Sequence, residues 1–167
     1  VNKQPPYITQ GLFFKKSQLG SGVSYIAMPD STNVLTGLFW NTLLKANQNN
    51  YVFAGSGGDS TQHVVFGFAS SGFDSVKIYR YKTPNTYAFQ GLAMLEKDNY
   101  YYVSGVHNFN PGFNANVVLM KIDSVGNLLW EKDYDQKKID YSQSMITLTT
   151  GNILLGAVRS DLNQTNE

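Results

Sequence analysis

The 167-residue chain contains no cysteine, which excludes disulfides, thiolate metal sites and a cysteine nucleophile. Its only two histidines are His63 and His107. Neither has carboxylate or imidazole neighbours at ligand spacing, so a histidine metal centre or general base has no local support. Charge is sparse and balanced: 13 basic and 12 acidic residues leave +1, which does not make the broad basic surface of a nucleic-acid binder. No apolar run approaches the roughly 20 residues of a membrane-spanning helix, and the amino end lacks a signal-peptide pattern. The chain opens on Val1 rather than methionine, which gives the expectation of a processed chain or an excerpt. What it does have is 42% hydrophobic residues and 14% aromatics, enough for a packed core rather than wholesale disorder.

The hydrophobic residues recur. Four extended segments each end in glycine: Tyr7 to Gly11, Tyr51 to Gly55, Tyr101 to Gly105 and Asn152 to Gly156. Those glycines are 44, 50 and 51 residues apart (55 − 11, 105 − 55, 156 − 105). Leu44, Met94 and Met145 lie in a second apolar run, each eleven residues before its glycine. Polar turns at Asn47–Asn50, Lys97–Asn99 and Thr149–Gly151 separate the paired runs, which therefore read as hairpins. A second hairpin follows in each unit, clearest over Asn116–Trp130 around Asp123-Ser-Val-Gly126. There Asp123 supplies a side-chain acceptor and Gly126 can take the positive φ of a bulged hairpin turn.

Each unit is thus four antiparallel strands, a to d, in about 50 residues, the pattern of a β-propeller blade. The strands are expected at 7–14, 23–29 and 34–39, then 42–47, 51–57, 63–70 and 74–82. A further set falls at 90–96, 100–107, 116–123 and 127–134, followed by 143–149 and 152–159. Residues 87–96 also carry a loosely helical pattern, but Gly91 and the repeat register favour a strand. The fold expected is all-β, with blades at 1–41 (partial), 42–82, 90–134 and 143–167 (partial). Gly11, Gly55, Gly105 and Gly156 are expected to make room for a neighbouring blade's side chains. The first d–a connection, near Phe39-Trp-Asn41, must cross three strand spacings, roughly 14 Å, in very few residues. Three and a third blades do not close a ring, since propellers have about four to eight. Either the chain continues before Val1 and beyond Glu167, the expectation favoured here, or the remaining strands come from elsewhere.

The stretch from Asn99 to Asp161, NYYYVSGV…NVVLMKIDSVGNLLWEKDYD…DYSQSMITLTTGNILLGAV, resembles the repeats of large exported Bacteroidetes proteins. Their blades run GGYIIAGST…DVWLIKLDSNGNLLWEKTYG…YSIIQTSDGG, and Lys121 to Tyr134 follows that pattern almost throughout. The resemblance implies a β-propeller at the cell surface or in the medium, outside the outer membrane, often delivered by the type IX secretion route. It implies no cofactor and no particular activity, because function resides in sites rather than folds.

Candidate chemistry is thin. Asp123 to Trp130 is spaced one residue too long, twice, for the Asp-box of sialidase-type propellers. Glu131, Asp133, Asp135 and Asp140 are interleaved with Lys132, Lys137 and Lys138, as in a solvated connection rather than a glycosidase pair. Tyr79-Arg-Tyr-Lys82 reads as an outer strand of alternating exposure. Gly55-Ser-Gly-Gly58 lacks the strand–loop–helix of a phosphate loop, and Asn163-Gln-Thr165 is a glycosylation sequon by pattern. The positive signal is in the loops. In an up-and-down blade the a–b and c–d turns share one face, and these are short. The b–c and d–a connections share the other and vary: 12–22, 57–62, 107–115, 83–89 and 135–142. Within them Asn108-Phe-Asn-Pro-Gly-Phe113 holds two aromatics on a Pro-Gly turn. His107, Phe109, Asn110, Phe113 and Asn114 form the candidate contact for a protein or glycan partner. The expected function is a non-enzymatic surface or secreted binding module. The alternatives are a structural subunit beside an outer-membrane barrel or surface complex, and a glycan hydrolase whose catalytic residues lie outside this segment.

Overall fold

The structure, a computed structural model, describes residues 12–16, 23–27, 36–46, 50–58, 62–72, 75–81, 89–107, 115–134 and 139–160. They are all-β and contain no helix. The strands are β1 (Leu12–Lys16), β2 (Val23–Ala27), β3 (Thr36–Lys45), β4 (Tyr51–Gly58), β5 (Gln62–Ala69) and β6 (Val76–Tyr81). Then come β7 (Phe89–Lys97), β8 (Tyr100–His107), β9 (Asn116–Ile122), β10 (Leu128–Tyr134), β11 (Ile139–Thr147) and β12 (Ile153–Ser160). Two four-stranded antiparallel sheets have the orders β3-β4-β5-β6 and β7-β8-β9-β10, and two-stranded sheets β1-β2 and β11-β12 flank them in sequence. Within each sheet every strand pairs with its neighbour in sequence, because the hairpin connections are short enough to keep neighbours adjacent. The helical pattern over 87–96 is overridden: Phe89–Lys97 is a strand at one edge of its sheet, its bonds to β8 outweighing local propensity.

The early strands differ from the sequence expectation. Segments 34–39 and 42–47 are one strand, β3, which begins at Thr36 and pairs along its length with β4. The cramped crossing near Trp40 therefore does not exist, and bulges after Thr36 and Trp40 absorb the irregularity instead. The first described strand is Leu12–Lys16, so part of the expected 12–22 loop is strand, paired to β2 from Leu12↔Ala27 to Lys16↔Val23, while residues 7–11 of the expected 7–14 strand lie outside the described residues. At the other end β11 begins at Ile139, so Asp140 lies in a strand and not in the connection expected over 135–142.

A bulge recurs in β3, β7 and β11. Asn41, Leu92 and Gln143 are the extra residues, opposite the steps Ala54/Gly55, Ser104/Gly105 and Gly156/Ala157 of the adjoining strands. They lie at a constant interval of 51 residues (92 − 41, 143 − 92). A bulge reverses which side chains face which way beyond it, so a constant position keeps all three units in phase.

The sheets stack face to face. Leu44, Val52, Ala54, Val64 and Phe66 of the first four-stranded sheet pack against Met94, Tyr101, Val103, Val118, Met120 and Ile122 of the second. The opposite face of that second sheet, Leu95, Tyr102 and Leu119, is covered by Met145 and Ile153 of β11–β12. Burial on both faces explains runs such as Val117-Val-Leu-Met120 that do not alternate. Phe66 is fully buried at the centre, with ring centroids 5.1 Å from Phe68 and 5.5 Å from Tyr101. On the other face Phe53 lies over Gly67, where an added Cβ would sit 2.3 Å from the ring. Gly67 is a packing glycine that the repeat pattern did not single out. The expectation for Gly156 needs correction: its close neighbour is Ser144 Oγ, 2.6 Å from a built Cβ, in its own sheet rather than a neighbouring one.

Candidate functional site

The described residues define the turn end of the stack. Lys97 and Tyr100 flank a two-residue turn in which Asp98 and Asn99 both have positive φ, 53° and 62°. Asp and Asn are the non-glycine residues that tolerate this best, and the turn's hand matches the strand twist. Asp123-Ser-Val-Gly126-Asn127 folds as its sequence predicts. Asp123 Oδ1 accepts from the amides of Val125 (3.0 Å) and Asn127 (2.8 Å), while Asn127 Nδ2 donates to Oδ2 (2.8 Å). Gly126 takes φ 90° and the register shifts between Leu128 and Trp130. The Asn127 amide first, with the other donors, holds the Asp123 carboxyl below its ordinary range. Gly151 closes the β11–β12 turn in the same way, with φ 83° and its amide bonded to Leu148 O at 2.9 Å.

This turn is gripped by the preceding sheet. The Tyr81 hydroxyl donates to Gly126 O at 2.8 Å, and that of Tyr79 donates to Val125 O. A Cβ on Gly126 would lie 2.2 Å from the Tyr79 ring. Burial, then the neighbouring Tyr79 and Asp123, push the Tyr81 phenol well above its usual range. The Tyr-x-Tyr strand thus alternates as expected, with Arg80 exposed between two half-buried tyrosines. Its cross-sheet role was not legible, because the contact spans 45 residues of sequence.

Beside the clamp, between the two four-stranded sheets, lies a cavity of about 310 Å³ lined by Ala46, Asn50, Phe68, Glu96, Asn99, Tyr101 and Ser124. Its wall includes two aromatic rings set edge to face, Phe68 and Tyr101, with centroids 5.7 Å apart. Burial, aided by the Glu96 charge, raises the Tyr101 phenol above its ordinary value. Rings, amides, a hydroxyl and a carboxylate converge here, the composition of a small-ligand pocket near the lower size limit. None of these residues was a sequence-level candidate, since they come from six separate strands and turns.

The loop end is represented by its base. His107 ends β8 and pairs in register with Asn116, the first residue of β9. Ala115 is buried, and Asn116 is 9% exposed with its Oδ1 lacking a hydrogen-bond partner. Phe109, Asn110, Phe113 and Asn114 lie outside the described residues, as do Asp135, Lys137, Lys138 and the 163–165 sequon. His63 lies in β5 opposite Gly57, 44 residues from His107 in the chain (107 − 63). Among the described residues no three His, Asp or Glu side chains group as a metal site, and no helix is long and apolar enough to cross a membrane.

No protein-family model matches the chain, and a search of curated proteins finds no significant relative.

Proposed function

We propose that this chain belongs to a β-propeller-type repeat domain, exported to the cell surface or medium, that binds a protein or glycan partner without catalysing a reaction. The observation that carries it is the repetition itself: two sheets of identical strand order, stacked with their bulges in common register. Such a stack is a rigid scaffold that gathers its short turns at one end and its variable connections at the other. The longest described gap between paired strands, from His107 to Asn116, falls at that other end and holds Phe109 and Phe113. The resemblance of Lys121–Tyr134 to exported repeat proteins supports the location.

A glycan array and a pull-down from an outer-membrane fraction test the reading, with Phe109→Ala/Phe113→Ala as the informative variant. Affinity should fall by about 2 kcal/mol or more per anchoring aromatic while the strand spectrum stays intact. Unchanged binding removes the loop assignment, and release of reducing sugar replaces the binding module with a hydrolase. Co-purification with a barrel favours the structural-subunit alternative.

The cavity favours a second route to the same class of partner. A sugar ring could lie against Phe68 and Tyr101 with its hydroxyls on Asn50, Asn99, Ser124 and Glu96. Glu96→Gln with Asn50→Ala should then abolish glycan binding that the two Phe substitutions leave untouched.

A further inference from the structure

The common bulge register lets the two four-stranded sheets be compared position by position. Counting from the bulge, Leu44 of β3 and Leu95 of β7 are equivalent, and their partners on the next strands are Val52 and Tyr102. One strand further out, Val52 pairs with Phe68 and Tyr102 with Lys121. Phe68 and Lys121 therefore hold the same place in their sheets. So do Asn50 and Tyr100, two residues before Val52 and Tyr102.

The second sheet fills this place with a charge of its own. The Lys121 ammonium lies 3.7 Å from the centroid of the Tyr100 ring and 5.7 Å from that of Tyr102, within reach of a cation–π contact. In the first sheet the neutral pair Phe68 and Asn50 stands there instead, and both residues line the cavity of about 310 Å³. Tyr101 and Glu96 of the second sheet add a further ring and a carboxylate to the wall. Among the described lining residues Glu96 alone carries charge, and that charge is felt at the Tyr101 phenol. One sheet thus seats its own ammonium among tyrosine rings, while the other offers rings and a carboxylate around an open volume.

Such a lining selects a positive group carried on a body with an apolar face. The side-chain amides of Asn50 and Asn99 and the hydroxyl of Ser124 add donors and acceptors suited to hydroxyl groups. A protonated amino sugar has all three features, whereas a neutral sugar offers the carboxylate only uncharged donors.

We infer that this cavity binds a hexosamine with a free ammonium group, its amine on Glu96 and its ring against Phe68 and Tyr101. The inference rests on the reading of the cavity as a glycan site and narrows that site to amine-bearing sugars.

Calorimetric titration of the 167-residue chain with D-glucosamine, D-glucose and N-acetylglucosamine tests it, in buffer acidic enough to protonate the sugar amine. Glucosamine should bind at least about tenfold more tightly than the two uncharged sugars, the ratio that about 1.4 kcal/mol of added attraction gives. Glu96→Gln keeps the shape and removes the charge, and it should erase that preference with the strand spectrum intact. Equal affinity for all three sugars overturns the inference but leaves the cavity a glycan site. A preference for glucosamine that survives Glu96→Gln overturns it as well. If no sugar binds, the inference falls together with the reading it rests on. Tighter binding of Nα-acetyl-lysine methylamide than of glucosamine overturns it in favour of a peptide ligand.

Discussion

At the scale of single residues, the two positive-φ turn glycines separate two kinds of constraint. Gly151 has open space around its missing Cβ, so only its φ of 83° restricts it. Gly126 is restricted twice, by φ 90° and by the Tyr79 ring. Asparagine tolerates the left-handed region. Gly151→Asn should therefore shift the urea midpoint little, while Gly126→Asn should destabilise by roughly 1–3 kcal/mol, a cost typical of strained or overpacked sites. Asp123 adds a pH signature. Its carboxyl is held below the ordinary value of 3.8, so its contribution is complete above that value and fades as the pH falls through the lowered one. Equilibrium unfolding should show Asp123→Asn weaker than wild type at pH 7, with the gap closing in strong acid. This turn was legible from its sequence because the hydrogen bonds that shape it, those to the Asp123 carboxylate, are local. Tyr79 and Tyr81, which grip it from another sheet, carried no local signal.

Between elements, the coupling of the second four-stranded sheet to β11–β12 includes one polar contact inside an apolar seam. Ser142 Oγ donates to Ser104 Oγ at 2.9 Å, and both residues are fully buried. Ser104→Ala alone leaves the other hydroxyl unsatisfied and should cost about 1–3 kcal/mol, whereas the double alanine variant should recover most of that loss. A double-mutant cycle on unfolding free energies reads this directly; additive costs would show that the pair does not interact. Strand existence was legible here from apolar runs and turn residues, down to β7 against its helical propensity. Strand ends and bulges were not. The merging of 34–39 with 42–47 depends on pairing to β4, and Asn41 in isolation looks like a turn residue rather than a bulge.

For the whole molecule, the two four-stranded sheets share one aromatic cluster and should melt together. Phe66→Ala should cost about 3–5 kcal/mol and lower a single transition seen alike by far-ultraviolet dichroism and tyrosine fluorescence. Two separated transitions would show that the sheets are independent. The all-β class was readable because repetition amplifies weak patterns, while the cavity was hidden because its lining is assembled from distant turns. The constant 51-residue phase of the bulges in β3, β7 and β11 also bears on how such a gene can change. An in-frame loss or gain of one such unit would join equivalent points of two of these strands and leave every sheet face in step with its neighbour. An odd-numbered insertion or deletion inside one of these strands would instead turn the apolar residues beyond it outward, so the connections can change in length while the place of the bulge within its strand cannot.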